Sequence, residues 1–281
     1  MTGIEIIRPP AGRKLRAAVF DFDGTLSLIR TGWQDVMIPM MVEHLRPLVP
    51  GLTPERLRAM IAEDVAKTTG MLTVVQMMGL AEHVSKHGGT PLNPKEYKAE
   101  YKRRLLAHIA ARRTALVERS AAADSLLVTG SRAMLEGLAA RGITLCLASG
   151  TDEPEVREEA GLLDIARYFG NDIYGALDDY EASSKKRVIA RLLARLGAAG
   201  NEVVIFGDGF VEIENAKEAG AYAVGVASDE AARGGRVDPW KRERLLAAGA
   251  DLIIPDFACH EELATLLLGQ SQSLDTTAGG T

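Results

Sequence analysis

The sequence predicts an α/β protein, a Rossmann-like parallel sheet core with helices on both faces plus an inserted α-helical cap domain, and two observations carry that expectation. Apolar runs recur at 16–23, 143–150, 172–177, 202–209, 221–227 and 250–257, each short and continuous, as in strands buried on both faces. Between the later runs stand stretches of helical pattern, SRAMLEGLAARG, DEPEVREEAGLL, SKKRVIARLLARLG and VEIENAKEAG, several ending on the glycine that commonly closes a helix. Strands alternating with helices make a parallel sheet covered on both sides.

Taken in order, residues 1–14 are an N-terminal lead whose charges and two prolines interrupt the apolar core a secretory peptide would need. The first strand, RAAVFDFD, opens a core expected to comprise 15–27 and 126–268. The intervening 28–125 carries no comparable strand run and reads as helices over 33–45, 54–68, 72–87 and 94–123, punctuated by LRPLVPGLTP, TTGM and HGGTPLNP. We take it as the helical cap. The small, polar end 269–281 is expected to be disordered.

With 47% hydrophobic and 25% charged residues among 281, the chain can bury a real core. A net charge of -5 gives no electrostatic case for nucleic acid, and no run is apolar enough to span a bilayer, so a cytoplasmic protein acting on a small molecule is expected, with no nucleic-acid or membrane partner. Oligomeric state is not legible. Cys146 lies in an apolar run and reads as a small buried hydrophobe; with Cys259 it makes no disulfide framework.

Four segments carry chemistry, each where an apolar strand gives way to a polar loop, the place where open parallel sheets build ligand sites. In AVFDFDGTL, Asp21 and Asp23 end a strand that is otherwise wholly apolar; DG is a common turn pair, but burying two acids for a turn alone is costly, so they demand a cation. In CLASGT, Ser149, Gly150 and Thr151 offer a hydroxyl and free backbone N–H groups ahead of a helix, which suits a phosphate. Either Lys185 or Lys186 stands at a helix start, where a basic residue is unfavourable against the dipole unless an anion is near. In VVIFGDGFVEIENAKEAG, Asp208 and Glu212 crown another strand and add oxygen ligands of the kind magnesium prefers. Alone, the serine-glycine pair is an ordinary helix entry and the lysine pair a solvated one; company gives them weight.

In this order the four segments resemble the haloacid dehalogenase superfamily of phosphatases and phosphomutases, with DFDGTL the specific motif. The resemblance implies that Asp21 is the nucleophile, Asp23 the general acid and then base, and Ser149 a ligand of a phosphoryl oxygen. It implies a lysine on the phosphate, Lys185 by the helical spacing of Val188 and Ile189, with Lys186 the alternative. Mg2+ would be held by Asp21, Asp208, the Asp23 carbonyl and Glu212, where the family often has aspartate. Thr25, Gly150 and Thr151 would face the phosphate, and Arg30 and Thr69 the substrate, along with Trp33, Gln34, Lys67, Thr73 and Gln76. The expected function is a magnesium-dependent phosphatase acting on a small phosphorylated metabolite such as a sugar or polyol phosphate; the alternatives are a phosphomutase of the β-phosphoglucomutase type and a non-catalytic phosphate-binding protein. No proline follows Lys185, unlike many phosphoglycolate-type members, so phosphoglycolate is not named.

Two further features have ordinary readings. His83 and His87 stand at i, i+4 without a third ligand and read as surface histidines. The basic stretch 102–104 with Arg112 and Arg113 reads as a solvated helix face.

Overall fold

The computed structural model describes residues 3–10, 14–177 and 184–269. Its centre is a seven-stranded sheet in the order β1-β7-β6-β5-β2-β3-β4, made of β1 (Glu5–Ile6), β2 (Ala17–Phe20), β3 (Thr144–Asp152), β4 (Ile173–Ala176), β5 (Val203–Gly207), β6 (Tyr222–Val226) and β7 (Leu252–Ile254). Every described pairing is parallel except β1 against β7. The strands β2, β5 and β6 are buried along their whole length, which is why their sequences are apolar without alternation.

The N-terminal lead is more than a tail. Glu5 and Ile6 pair with Ile253 and Leu252, and Arg242 fixes Glu5 with bonds of 2.6 and 2.7 Å. Two residues of strand flanked by charge left no periodicity to read. Residues 270–281, where a disordered tail is expected, lie outside the described residues.

From the end of β2 the chain enters a helical insertion of α1 (Gln34–Leu45), α2 (Pro54–Lys67), α3 (Thr73–Lys86) and α4 (Pro94–Val117). Helix α2 starts on a Thr53 cap and α4 on an Asn93 capping box, each followed by proline. The expected run to 123 stops at Val117, and Arg119 takes φ 55° just beyond. Leu28 N–H donates to Leu126 O and Val128 N–H to Leu26 O, at 2.8 and 2.9 Å, so the insertion leaves and rejoins the sheet side by side.

The rest of the chain alternates: α5 (Ser131–Ala140), β3, α6 (Glu153–Leu162), α7 (Ala166–Phe169), β4, α8 (Lys185–Leu196), β5, α9 (Phe210–Glu218), β6, α10 (Pro239–Ala247), β7 and α11 (His260–Leu268). Apolar side chains on one sheet face join those of the insertion in a single cluster, and a second cluster under α8, α9 and α10 covers the other face.

Apart from the exposed Arg103, the basic face of α4 is not solvated as its sequence suggests. Arg112 donates to the carbonyls of Ile29 and Thr31 at 2.8 and 2.7 Å, and Arg113 to Glu158 and Glu159 at 2.5 and 3.1 Å. Lys98 and Lys102 pair with Asp152, and Lys102 also with Glu155. The acidic partners come from α6 and the residue before it, far away in sequence, so charge pattern along α4 alone could not show that this face is spoken for.

Beneath the carboxyl ends of β2 and β5, Phe20 and Phe206 stack with centroids 4.5 Å apart and planes 4° from parallel. Both are fully buried. We expect Phe206→Ala to cost about 3–5 kcal/mol of stability, read as the shift in urea midpoint of unfolding; a shift no larger than that of a surface alanine substitution would refute the packing argument.

Candidate active site

From β2 the chain proceeds to β3 and β4 on one side and later to β5, β6 and β7 on the other, so strand order reverses between β2 and β5. Ligands in open parallel sheets bind in the crevice outside the carboxyl ends at such a reversal. Asp21 directly follows β2, Asp208 directly follows β5, and Ser149 and Thr151 lie in the last residues of β3. Register fixes their closeness: Phe20 sits opposite both Leu147 and Phe206, and the Asp21 N–H donates to Phe206 O at 2.9 Å.

Asp21 is buried, and its Oδ1 accepts from Lys185 Nζ at 2.5 Å. Lys185 also pairs with Glu212. Lys186, the alternative, points away to Glu218 at 2.6 Å on the exposed side of α8, so the helix presents only Lys185 to the site. Thr25 Oγ1 lies 3.5 Å from both Asp21 Oδ2 and Asp208 Oδ1, placing the two carboxylates on one hydroxyl.

Asp23 faces the other way. Its Oδ2 accepts from Thr151 Oγ1 at 2.9 Å, and its Oδ1, 3.9 Å from Arg30 Nε, has no hydrogen-bond partner. Burial pushes the Asp23 carboxyl up to about 6; Arg30 and the Thr151 hydroxyl oppose the rise, while Glu159 and Asp208 add to it. That is a range in which a carboxyl both gives and takes a proton. Burial also raises Asp21 well above the usual carboxylate range, with Lys185 opposing and Glu212 and Asp208 adding to the rise.

Ser149 is buried, its Oγ accepting from the Thr151 N–H at 3.1 Å. Gly150 approaches the insertion: a Cβ there would come within 3.1 Å of Met71 O. Gly70, at φ +87°, brings the α2–α3 loop against Glu212, where a Cβ would stand 3.2 Å from Oε2. Gly207 and Gly209 leave the room that Glu212 occupies, since a Cβ on either would come within 2.5 Å of its side chain.

A cavity runs between sheet edge and insertion, lined by Asp21, Asp23, Ser149, Lys185 and Asp208 below and by Trp33, Thr69, Thr73, Gln76, Tyr101 and Leu105 above. Arg30 reaches it too, but is spent on neighbours, donating to Glu159 at 3.0 and 2.8 Å and to Glu155 at 2.7 Å. The Thr69 hydroxyl donates to Val65 O at 3.1 Å. Gln34 and Lys67 do not line the cavity, and Lys67 pairs with Glu63. His83 pairs with Asp64 at 2.8 Å.

The profile of the haloacid dehalogenase-like hydrolases matches residues 15–220. The chain belongs to that family. No curated protein matches this hydrolase in sequence, whereas solved structures share its fold at low identity. A predicted phosphoglycolate phosphatase from Haemophilus somnus is 17% identical with a TM-score of 0.55, covering 89% of this chain and 98% of its own. A β-phosphoglucomutase from Clostridium difficile is 12% identical with a TM-score of 0.57, over 90% and 97%. A hydrolase of the same family from Deinococcus radiodurans, solved with phosphate and sodium bound, is 18% identical with a TM-score of 0.52, over 90% and 95%.

Tyr101 and Leu105 of the cavity wall, and Lys241 beside Asp208, escaped the sequence reading. Lys241, near the start of α10, lies 2.8 Å from Asp208 Oδ2 and 2.8 Å from Glu230 Oε1. Its signal is the one that pointed to Lys185: a lysine in the first turn of a helix, against the dipole.

Among the described residues no three side chains of the metal-binding kinds form a ready cage. The donor set still fits magnesium, which binds through one or two carboxylates and leaves its other positions to water and phosphate: Asp21 and Asp208 share a hydroxyl, and the buried Glu212 Oε2 has no partner.

Removing Lys185 leaves the Asp21 and Glu212 carboxylates buried against each other. We expect Lys185→Met to cost about 3 kcal/mol, less at pH 5 than at pH 8 because burial already raises the Asp21 carboxyl and lower pH favours its neutral form, and Glu212→Gln added to it to restore much of the loss. Thermal unfolding at the two pH values checks this; a penalty independent of pH would contradict the assigned charges.

Proposed function

We propose that this hydrolase is a magnesium-dependent phosphatase that releases phosphate from a small phosphorylated metabolite with an uncharged alcohol portion, a sugar or polyol phosphate, through a phospho-aspartate on Asp21. The observation that carries the reading is the division of labour between two carboxylates two residues apart: Asp21 beside Lys185 and near Asp208, Asp23 turned to Thr151 with a pKa near 6.

In the first step an Asp21 carboxylate oxygen attacks phosphorus, the bond from phosphorus to the alcohol oxygen breaks, and Asp23 gives that oxygen its proton. In the second, Asp23, now a carboxylate, takes a proton from water as the water oxygen attacks phosphorus and the bond to Asp21 breaks, releasing phosphate and the free carboxylate. Lys185 spreads positive charge over the phosphoryl oxygens, and the Ser149 hydroxyl and the N–H groups around Gly150 donate to them, the stabilisation such transfer chiefly needs. Asp21, Asp208, the Asp23 carbonyl and Glu212 would hold magnesium, which would supply charge neutralisation and keep Asp21 ionised against its burial.

The helical insertion serves as the cap. Its Gly70–Met71 loop roofs the site and shuts out water, and its wall of Trp33, Tyr101, Leu105, Thr73 and Gln76 is aromatic, aliphatic and neutral polar. Among the described residues, the one cation lining that wall, Arg30, already serves Glu155 and Glu159. A second phosphate or a carboxylate on the substrate would find no counter-charge there, which supports an uncharged leaving group.

The first test is phosphate release from a panel of sugar, polyol, nucleotide and carboxylic-acid phosphates, with magnesium and with chelator. Chelator-sensitive release confined to sugar or polyol phosphates is expected, with Asp21→Asn lowering it by at least a thousandfold; isomerised sugar phosphate with little free phosphate would mark a phosphomutase instead.

A second test reads pH. Because Asp23 must be protonated to release the alcohol, kcat/KM should fall tenfold per pH unit above about 6. Thr151→Val removes a bond that favours the ionised form, so the falling limb should move to higher pH; a limb that stays put or moves down would remove Asp23 as the acid.

A further inference from the structure

Lys241 lies outside the four segments from which the mechanism was built, yet it is one of the most confined cations in the molecule. Its side chain keeps 11% of its exposure and is surrounded by oxygen: Asp208 Oδ2 and Glu230 Oε1 at 2.8 Å each and Ser228 Oγ at 3.1 Å. Two carboxylates and a hydroxyl thus enclose one ammonium. The lysine is a fixed positive charge.

The surroundings are built to keep it there. Asp238 caps α10 and accepts from the Lys241 N–H at 2.9 Å, with Pro239 in the first turn, so the helix starts at a set point. Ser228 Oγ donates to Gly24 O at 2.7 Å, and Thr31 Oγ1 donates to Glu230 Oε2 at 3.0 Å. Gly24 holds φ +78°, and a Cβ there would stand 2.4 Å from Asp208 Oδ2 and 3.0 Å from Glu230 Oε1. The glycine of DFDG therefore does more than turn the chain. It makes room for two acids to converge on one ammonium.

We propose that Lys241 is a positioning residue that stands where a second divalent cation would otherwise bind, engaging one oxygen of Asp208 and holding Glu230, so that Asp208 offers its other oxygen to a single metal ion shared with Asp21. The inference rests on reading Asp208 as a metal ligand. Asp208 Oδ1 is the oxygen turned toward Thr25, at 3.5 Å, on the side of Asp21; Oδ2 is the one facing the lysine. Without the ammonium, Asp208 Oδ2, Glu230 Oε1 and Ser228 Oγ form a cluster of hard oxygen donors with two negative charges, the set that a divalent ion takes up.

The test is a count of bound Mn2+ by titration calorimetry on the full chain, with the thermal midpoint followed in parallel. Wild-type protein should bind one ion, Lys241→Ala two, and Lys241→Ala with Glu230→Gln one again. The midpoint of Lys241→Ala should rise more with Mn2+ than that of wild type. A single ion in Lys241→Ala, bound with wild-type affinity, would overturn the proposal. So would failure of both variants to fold in the presence of Mn2+, since the lysine would then support the fold by more than its charge. Wild-type protein that binds no divalent ion would remove the metal reading of Asp208 itself, an outcome separate from the other two.

Discussion

Carboxylates that end up together in a protein interior must be given cations, and this constraint shapes more of the molecule than the chemistry alone requires. Asp21, Asp23, Asp208 and Glu212 gather at the ends of neighbouring strands, and each meets a positive group: Lys185 serves Asp21 and Glu212, Lys241 serves Asp208, and Arg30 stands 3.9 Å from Asp23. Isolated buried charges would neutralise themselves by shifting pKa. Here burial raises Asp21 and lifts Asp23 to about 6, and the neighbouring carboxylates add to that rise, more than Lys185 and Arg30 offset. A site in that condition favours the arrival of a cation.

The sheet is what forces the acids together. Because strand order reverses between β2 and β5, their carboxyl ends open a crevice rather than being covered by a connecting helix. Close approach there is possible only where side chains are missing. Gly24 leaves space for Asp208, and Gly207 and Gly209 for Glu212, with intruding distances of 2.4–2.5 Å had a Cβ been present. The glycines of the two aspartate motifs are thus steric consequences of crowding carboxylates, besides being turn residues.

Much of this was legible in the sequence, and the parts that were not share a cause. Apolar runs ending in acid marked β2 and β5 because buried parallel strands tolerate polar residues only at their ends, and the choice of Lys185 over Lys186 followed from which side of α8 carries Val188 and Ile189, both buried. Lys241 went unread although it obeys the rule that flagged Lys185, because it lies outside the four segments and its partner Asp208 is contributed by the end of another strand, β5. Arg112 and Arg113 were taken for solvated residues since their partners, Ile29, Thr31, Glu158 and Glu159, are contributed by other segments. Short-range pattern shows which groups need a partner; only the fold shows who the partner is.

The same limit bears on the insertion. From sequence, Arg30 was a candidate substrate contact, and it does reach the cavity, but Glu155 and Glu159 of α6 hold its guanidinium. Glu159 is fully buried and also receives Arg113 from α4. One buried acid thereby binds a residue just after the DFDGTL segment and a residue of α4, so the wall above the cavity is tied by charge to the strand ends below it. Breaking such a buried network by removing one partner costs far more than exposed ion pairs contribute. Arg30, beside Asp23, is therefore part of what holds the two halves of the site in register.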